Sequence, residues 1–259
     1  MAALAPFLSC WRLKADGRLM TTATSLLLPV RQDSRSLMLK VARHSEEARG
    51  NRLMVWYDGD GAAPVVARRG ACLLLLRGGP SLAELSQHDD HAATRHLCAV
   101  AQALHRGRAR PPPRLVTLRR WFADLLTVRD SPVSAMARAL LDDDRDQCPL
   151  HGDLHHGNVL WFEETGWGAI DPKGLLGHRA FDYANLFLNP TARMAADPAR
   201  FLARLRQVSE QANLPELLLL RWIVVWATLS ALWHKEEGSN GAAARAVAAL
   251  AGSVLASRS

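Results

Sequence analysis

The sequence predicts an α+β chain in two lobes, a small antiparallel-sheet lobe over residues 1–77 and a larger helical lobe over residues 78–259. Three observations carry that prediction. Strand-like runs and turn signals fill the first third, Arg77-Gly78-Gly79-Pro80 interrupts them, and beyond it the apolar residues recur at helical spacing.

In the first lobe, Trp11–Lys14 and Arg18–Thr21 flank Asp16-Gly17, a strong hairpin signal. Ser25–Val30 and Leu37–Val41 add two strand-like runs. Ser45 is the expected N-cap of a helix reaching about Tyr57, which Asp58-Gly59-Asp60-Gly61 terminates. Val65–Ala67 and Ala71–Leu76 form a last hairpin around Arg68-Arg69-Gly70. In the second lobe, helices are expected over 81–87, 89–106, 115–128, 132–141, 181–188, 198–212, 215–235 and 242–255, with Pro111-Pro112-Pro113 forcing a linker. Val159–Phe162 and Trp167–Ile170 read as two strands turning at Glu164-Thr165-Gly166. Trp222, Trp226 and Trp233 recur at helical spacing and read as core.

A chain of 259 residues can bury a sizeable core, and 49% apolar with 22% charged residues excludes a disordered or fibrous protein. The four cysteines, Cys10, Cys72, Cys98 and Cys148, are scattered without a C-x-x-C pair and read as reduced, mostly buried thiols. Met1–Leu8 is apolar but too short for a signal peptide and has no basic start. The longest apolar run, Leu214–Trp233, is interrupted by Glu216 and Arg221. A cytoplasmic chain with no membrane partner is therefore expected, and a monomer is favoured. The net charge of +7 is spread along helices with no Lys/Arg-rich run. It points to arginine usage or to an anion-attracting nucleotide cleft rather than a nucleic-acid surface.

The chemistry concentrates at His151-Gly152-Asp153-Leu154-His155-His156-Gly157-Asn158, followed by Ile170-Asp171-Pro172. This is H-x-D-x-x-x-x-N with a lone Asp thirteen positions after the Asn. It reproduces the polar skeleton of the protein-kinase catalytic loop, with Gly for Arg and Pro for Phe. Phosphoryl transfer from ATP needs a carboxylate to take the proton of the attacking hydroxyl, here Asp153. It also needs oxygen ligands for Mg2+, here Asn158 and Asp171. A competing reading makes His151, His155 and His156 zinc ligands. That spacing normally sits on a helix, and Gly152 and Gly157 make this stretch a poor one.

Such a loop requires a lysine on a strand, and Leu37-Met38-Leu39-Lys40 supplies the apolar run ending in Lys. Glu46 and Glu47 are the candidate acidic partners of Lys40, with Glu47 preferred. No Gly-rich phosphate loop is present, so a nucleotide cover must use Thr22, Thr24 and Ser25. Asp182, in Phe181-Asp182-Tyr183-Ala184-Asn185, stands at an expected helix start. His234-Lys235-Glu236-Glu237 is a possible acidic rim.

With these residues in hand, the chain resembles the aminoglycoside phosphotransferases, and among them the streptomycin 6-phosphotransferases grouped with the aminoglycoside/hydroxyurea resistance kinases. The shared motifs are W-R-L-x-x-D-G-x-L at Trp11–Leu19, L-K-V-A-R at Leu39–Arg43, and W-x-D-G-x-G-A-A at Trp56–Ala63. Further along are C-P-L-H-G-D-L-H-H-x-N-V-L from Cys148, I-D-P-x-G-L-L-G from Ile170, F-D-Y-A-N from Phe181, and R-W-I-x-x-W-x-x-L-S-A at Arg221–Ala231. The resemblance implies a bilobal protein-kinase-like fold and ATP- and Mg2+-dependent phosphorylation of an aminoglycoside, at the 6-hydroxyl of streptomycin. It assigns Asp153 as base, Asn158 and Asp171 as metal ligands, Lys40 as phosphate clamp and Asp182 as a brace for the loop. Gly157 and Lys173 stand where the family pattern departs. A polycationic substrate on a net positive chain requires local acidity, for which Glu236, Glu237 and Asp153 are the candidates. A kinase for another small hydroxylated amine or metabolite, and a silent kinase-like binding domain, are the rival readings. The joint presence of Lys40, Asp153, Asn158 and Asp171 argues against the second.

Overall fold

Ser25–Gln32 and Arg35–Ala42 pair antiparallel along their whole length, from Ser25 opposite Ala42 to Gln32 opposite Arg35. Around them the computed structural model, which describes residues 3–258, builds a six-stranded sheet. Its order is Lys14–Ala15, Ser25–Gln32, Arg35–Ala42, Cys72–Leu76, Val65–Arg69, with Met20–Thr21 added beside Ser25–Gln32. Cys72–Leu76 has no apolar/polar alternation and is buried at every position, which is what a strand covered on both faces requires. Helix Ser45–Tyr57 packs on this sheet and ends in left-handed Asp58.

The expected Asp16-Gly17 hairpin does not form. Lys14–Ala15 pairs with Val30 and Arg31, whereas Met20–Thr21 pairs with Leu26 and Leu27. Both flanks therefore lie in line along one neighbouring strand. Asp16 is drawn to that strand by its N–H to Pro29 O at 2.9 Å, and its carboxylate accepts from Arg77 at 2.7 Å. At the next helix, His44 in extended backbone takes the N-cap position and Ser45 is already helical. Met1 and Ala2 lie outside the described residues; Ala5–Cys10 is a short helix that leaves Cys10 exposed. Cys72 and Cys98 are buried, and burial pushes both thiols up to about 12.

The sheet ends at Leu76 and the first helix of the second lobe begins at Leu82. Helix Glu216–Glu236 is its spine, packing against Pro132–Asp142, Ala180–Ala184, Pro198–Ala212 and Ala242–Ala256. By length and mean hydropathy (1.5 over its most apolar window) this helix could cross a membrane, but half of that window is buried inside the fold. Trp222 is fully buried there, edge-on to Phe122 and Phe181. The expected 115–128 helix is broken into Leu118–Trp121 and Ala123–Thr127, and Val116–Thr117 before it is a strand. That strand runs parallel to Leu175–His178, which is antiparallel to Gln147–Leu150. This small sheet went unseen in the sequence because two- and four-residue strands carry too little period to read.

The lobes are stitched by backbone. Ala63 N–H donates to Ala169 O at 2.8 Å, and Ala169 N–H to Gly61 O at 2.9 Å. Within the first lobe, the Arg77 guanidinium donates to Val30 O at 2.9 Å.

Candidate active site

Strand Gln147–Leu150 delivers the chain to His151, and Gly152 turns it with φ +81°. A Cβ there would stand 2.7 Å from a Leu175 methyl carbon, so glycine is required twice over. The strands Val159–Phe162 and Gly166–Ala169 then pair with Val159 opposite Ala169. Ile170 N–H donates to Asn158 O at 2.9 Å, which brings Asp171 back beside Asn158. Asn158 Nδ2 donates to Asp153 O at 2.9 Å and lies 3.4 Å from Asp153 Oδ2. With its nitrogen so engaged, the amide leaves its oxygen for another partner. Together with the Asp171 carboxylate it is an all-oxygen donor set, the chemistry a hard divalent cation prefers.

Lys40 is 3% exposed, yet its ammonium is matched by two carboxylates. Nζ contacts Glu47 Oε1 and lies 2.6 Å from Asp171 Oδ1. Of the two candidate partners, Glu47 meets Lys40, while Glu46 lies 3.3 Å from Lys173 Nζ. Adjacent helical positions point about 100° apart, so one glutamate turns inward and the other to the rim. Gly50 allows this approach, since a Cβ there would sit 1.9 Å from Pro172 O. Burial works against the charge of Lys173, but Asp153, Glu46 and Glu47 outweigh it and hold this lysine above its ordinary value.

Asp182 is fully buried and grips the loop by its backbone. It accepts from His151 N at 2.9 Å, from Gly152 N at 2.7 Å, and from His105 Nε2 at 2.9 Å. Burial pushes its carboxyl up, but the His105 hydrogen bond and charge, His151 and the Gly152 amide together bring it below its ordinary value. His151 is a strut between this loop and the Ile170–Asp171 segment. Asp153 N–H donates to its Nδ1 at 3.2 Å, so Nε2 carries the hydrogen and donates to Ile170 O at 2.8 Å. Burial lowers its pKa and keeps it neutral in this role.

The zinc reading does not survive this geometry: among the described residues no three His, Cys, Asp or Glu side chains group as a metal cluster. His151 is committed to Ile170, and His155 Nδ1 accepts from Gly157 N at 3.0 Å. His156 is buried, and burial first of all pushes its pKa to about 3. Thr22 and Ser25 build the turn before Ser25–Gln32, with Ser25 N–H donating to Thr22 Oγ1 at 2.9 Å. Thr24 lies half-buried within that turn. Glu236 and Glu237 are exposed at the end of helix Glu216–Glu236. At 1.5 Å per residue Glu236 lies roughly 15 Å along the axis from Trp226.

Sequence reasoning missed two residues that reach the site. His105, the C-cap of helix Asp90–Leu104, had no motif to mark it. Asn185 closes the F-D-Y-A-N run, and its Nδ2 donates to Asp153 Oδ1 at 3.1 Å. Its signal was its place three residues after Asp182, one helical turn along the same face.

The family described as aminoglycoside/hydroxyurea antibiotic resistance kinase matches residues 10–238. The chain belongs to that family. A streptomycin 3''-kinase of Klebsiella pneumoniae is 46% identical over 241 residues, covering 88% of this chain and 91% of the relative. A streptomycin 6-kinase of Streptomyces glaucescens is 31% identical over 252 residues, covering 88% and 81%. Among solved structures, amicoumacin kinase hAmiN in complex with AMP-PNP, Ca2+ and Ami superimposes with TM-score 0.62 at 15% identity, over 99% of this chain and 94% of that one. The choline kinase LicA of Streptococcus pneumoniae gives 0.61 at 15% identity, over 99% and 98%. The fold of this kinase family member is thus the protein-kinase-like one of aminoglycoside phosphotransferases and choline kinases.

Proposed function

We propose that the chain phosphorylates streptomycin from ATP, in the cytoplasm, and so confers resistance to the drug. The observation that carries this reading is the convergence of Lys40, Asp171, Asn158 and Asp153 at one place within a chain that is 46% identical to a streptomycin kinase. Lys40, held by Glu47, contacts the α- and β-phosphates as a point charge, exchanging part of its contact with Asp171 for phosphate oxygens. Asn158 and Asp171 would hold Mg2+, which when bound neutralises charge gathering on the transferred group. Asp153 accepts the proton of the drug hydroxyl as that oxygen attacks. Asp182 and His151 keep the loop in shape, as static supports.

The motif resemblance implied the 6-hydroxyl. The more similar relative bears the name of a 3''-kinase, and the 6-kinase relatives stand at 31% and 28% identity, so position 3'' is the better-supported acceptor. Incubation with streptomycin, ATP and Mg2+ followed by mass measurement and phosphorus–proton correlation in NMR decides it. One added phosphate at position 3'' supports this reading, one at position 6 restores the motif-based one, and no added phosphate rejects both.

A further inference from the structure

Asp153 is held from a direction that the loop motif does not describe. Trp226 Nε1 donates to Asn185 Oδ1 at 2.9 Å, and Asn185 Nδ2 donates to Asp153 Oδ1 at 3.1 Å. Asn185 and Trp226 are 4% and 7% exposed, so little water competes for either bond. An indole N–H can only donate. It therefore fixes the oxygen of Asn185 toward Trp226 and the amide hydrogens toward Asp153. The indole is itself fixed, edge-on to Phe181 with centroids 5.3 Å apart and to Trp233 at 5.8 Å.

One helical stretch, Ala180–Ala184 continued by Asn185–Leu188, thus makes two kinds of contact with the loop. Asp182 holds its backbone, and Asn185 holds the carboxylate itself. With Oδ1 occupied, Oδ2 is the oxygen left for substrate; its nearest partner is Asn158 Nδ2 at a loose 3.4 Å.

We propose that Trp226 and Asn185 are positioning residues, a relay that selects Oδ2 of Asp153 as the base. As the acceptor oxygen bonds to the γ-phosphorus and the bond from phosphorus to the ADP oxygen breaks, the hydroxyl proton passes to Oδ2. Without the indole N–H, the amide can turn over and present oxygen to Asp153, and the carboxylate loses its fixed rotation. The proposal rests on Asp153 acting as the base.

The test is a double-mutant cycle in kcat and KM on the full chain, with thermal unfolding of each variant and Asp153→Asn as the control. Trp226→Phe should lower kcat about tenfold and Asn185→Ala about a hundredfold, with KM for ATP and acceptor nearly unchanged, because misplacement acts on the reacting atoms. The indole acts only through Asn185, so Trp226→Phe should cost nothing further in the Asn185→Ala background. Losses that multiply, or a kcat unmoved by both substitutions while Asp153→Asn is inactive, would overturn the relay and leave the base assignment standing. A near-normal Asp153→Asn would overturn the base assignment and the relay with it. Should Trp226→Phe not fold, Asn185→Asp decides alone. It keeps an acceptor for the indole and turns an oxygen toward Asp153, and unaltered kcat there rejects the proposal.

Discussion

The two sides of the proposed site, nucleotide and acceptor, are built differently. On the nucleotide side, Lys40, Glu47 and Asp171 meet from three elements, with Lys40 and Glu47 shielded from solvent. Glu236 and Glu237, the charges first expected to receive a cationic drug, are exposed at a helix end. The difference is one of leverage. A buried charge pair cannot lose a partner cheaply, whereas an exposed charge more than about 10 Å away is screened by ordinary salt. On the proposed function, ATP recognition would rest on these few shielded residues, and the exposed glutamates would add little to drug binding.

That contrast can be broken from its strong end first. Lys40→Ala should reduce kcat/KM for ATP about 10²–10³-fold, as expected for losing one preorganised electrostatic contact, and Glu47→Gln about tenfold; steady-state kinetics with varied ATP would show it. Asp182→Ala strands two loop N–H groups and His105, and should lower unfolding stability by about 3–5 kcal/mol in denaturant titration.

The pH dependence sharpens the same point. Burial holds the folded imidazoles of His151 and His178 below their ordinary value of 6.5. The unfolded chain then binds more protons as pH falls, so stability is full above about pH 6.5 and declines below it. Asp182 contributes stability above its unfolded value near 3.8, and that part is lost as pH falls through its lower folded value. Thermal unfolding from pH 8 to pH 3 should show a decline below pH 6.5 that steepens below pH 4. The smallest effect belongs to the exposed rim. Glu236→Gln with Glu237→Gln should raise acceptor KM about twofold at low salt and leave it unchanged at 0.5 M salt. A tenfold, salt-insensitive rise would place drug binding at that rim after all.

The two sides were also unequally legible in the sequence. The spacing of Asp153, Asn158 and Asp171 is local, and a hairpin is enough to bring the three together. Lys40 lies 131 residues from Asp171 but announced itself by an apolar strand ending in lysine. Which glutamate it meets was settled by the facing of helix Ser45–Tyr57, and sequence favoured the right one, Glu47. His105, Asn185 and Trp226 were not legible as site residues. Each sits on or caps a helix whose apolar pattern says only that it packs, and His105 meets Asp182, Asn185 meets Asp153 and Trp226 meets Asn185 through side-chain contacts with no fixed spacing. The Asp16-Gly17 hairpin failed for a related reason. Its flanks found a longer neighbour in Ser25–Gln32, and tertiary pairing overrode the local turn signal.

Turnover of Asp153→Asn at saturating ATP and streptomycin, measured beside its ATP affinity, tests the central assignment most directly. The site loses its proton acceptor but keeps Lys40, Asn158 and Asp171, so turnover should fall about 10³-fold while ATP affinity changes less than threefold. Turnover within a few-fold of the unaltered protein would show that another group takes the hydroxyl proton, and the account of this site would have to be rebuilt around it.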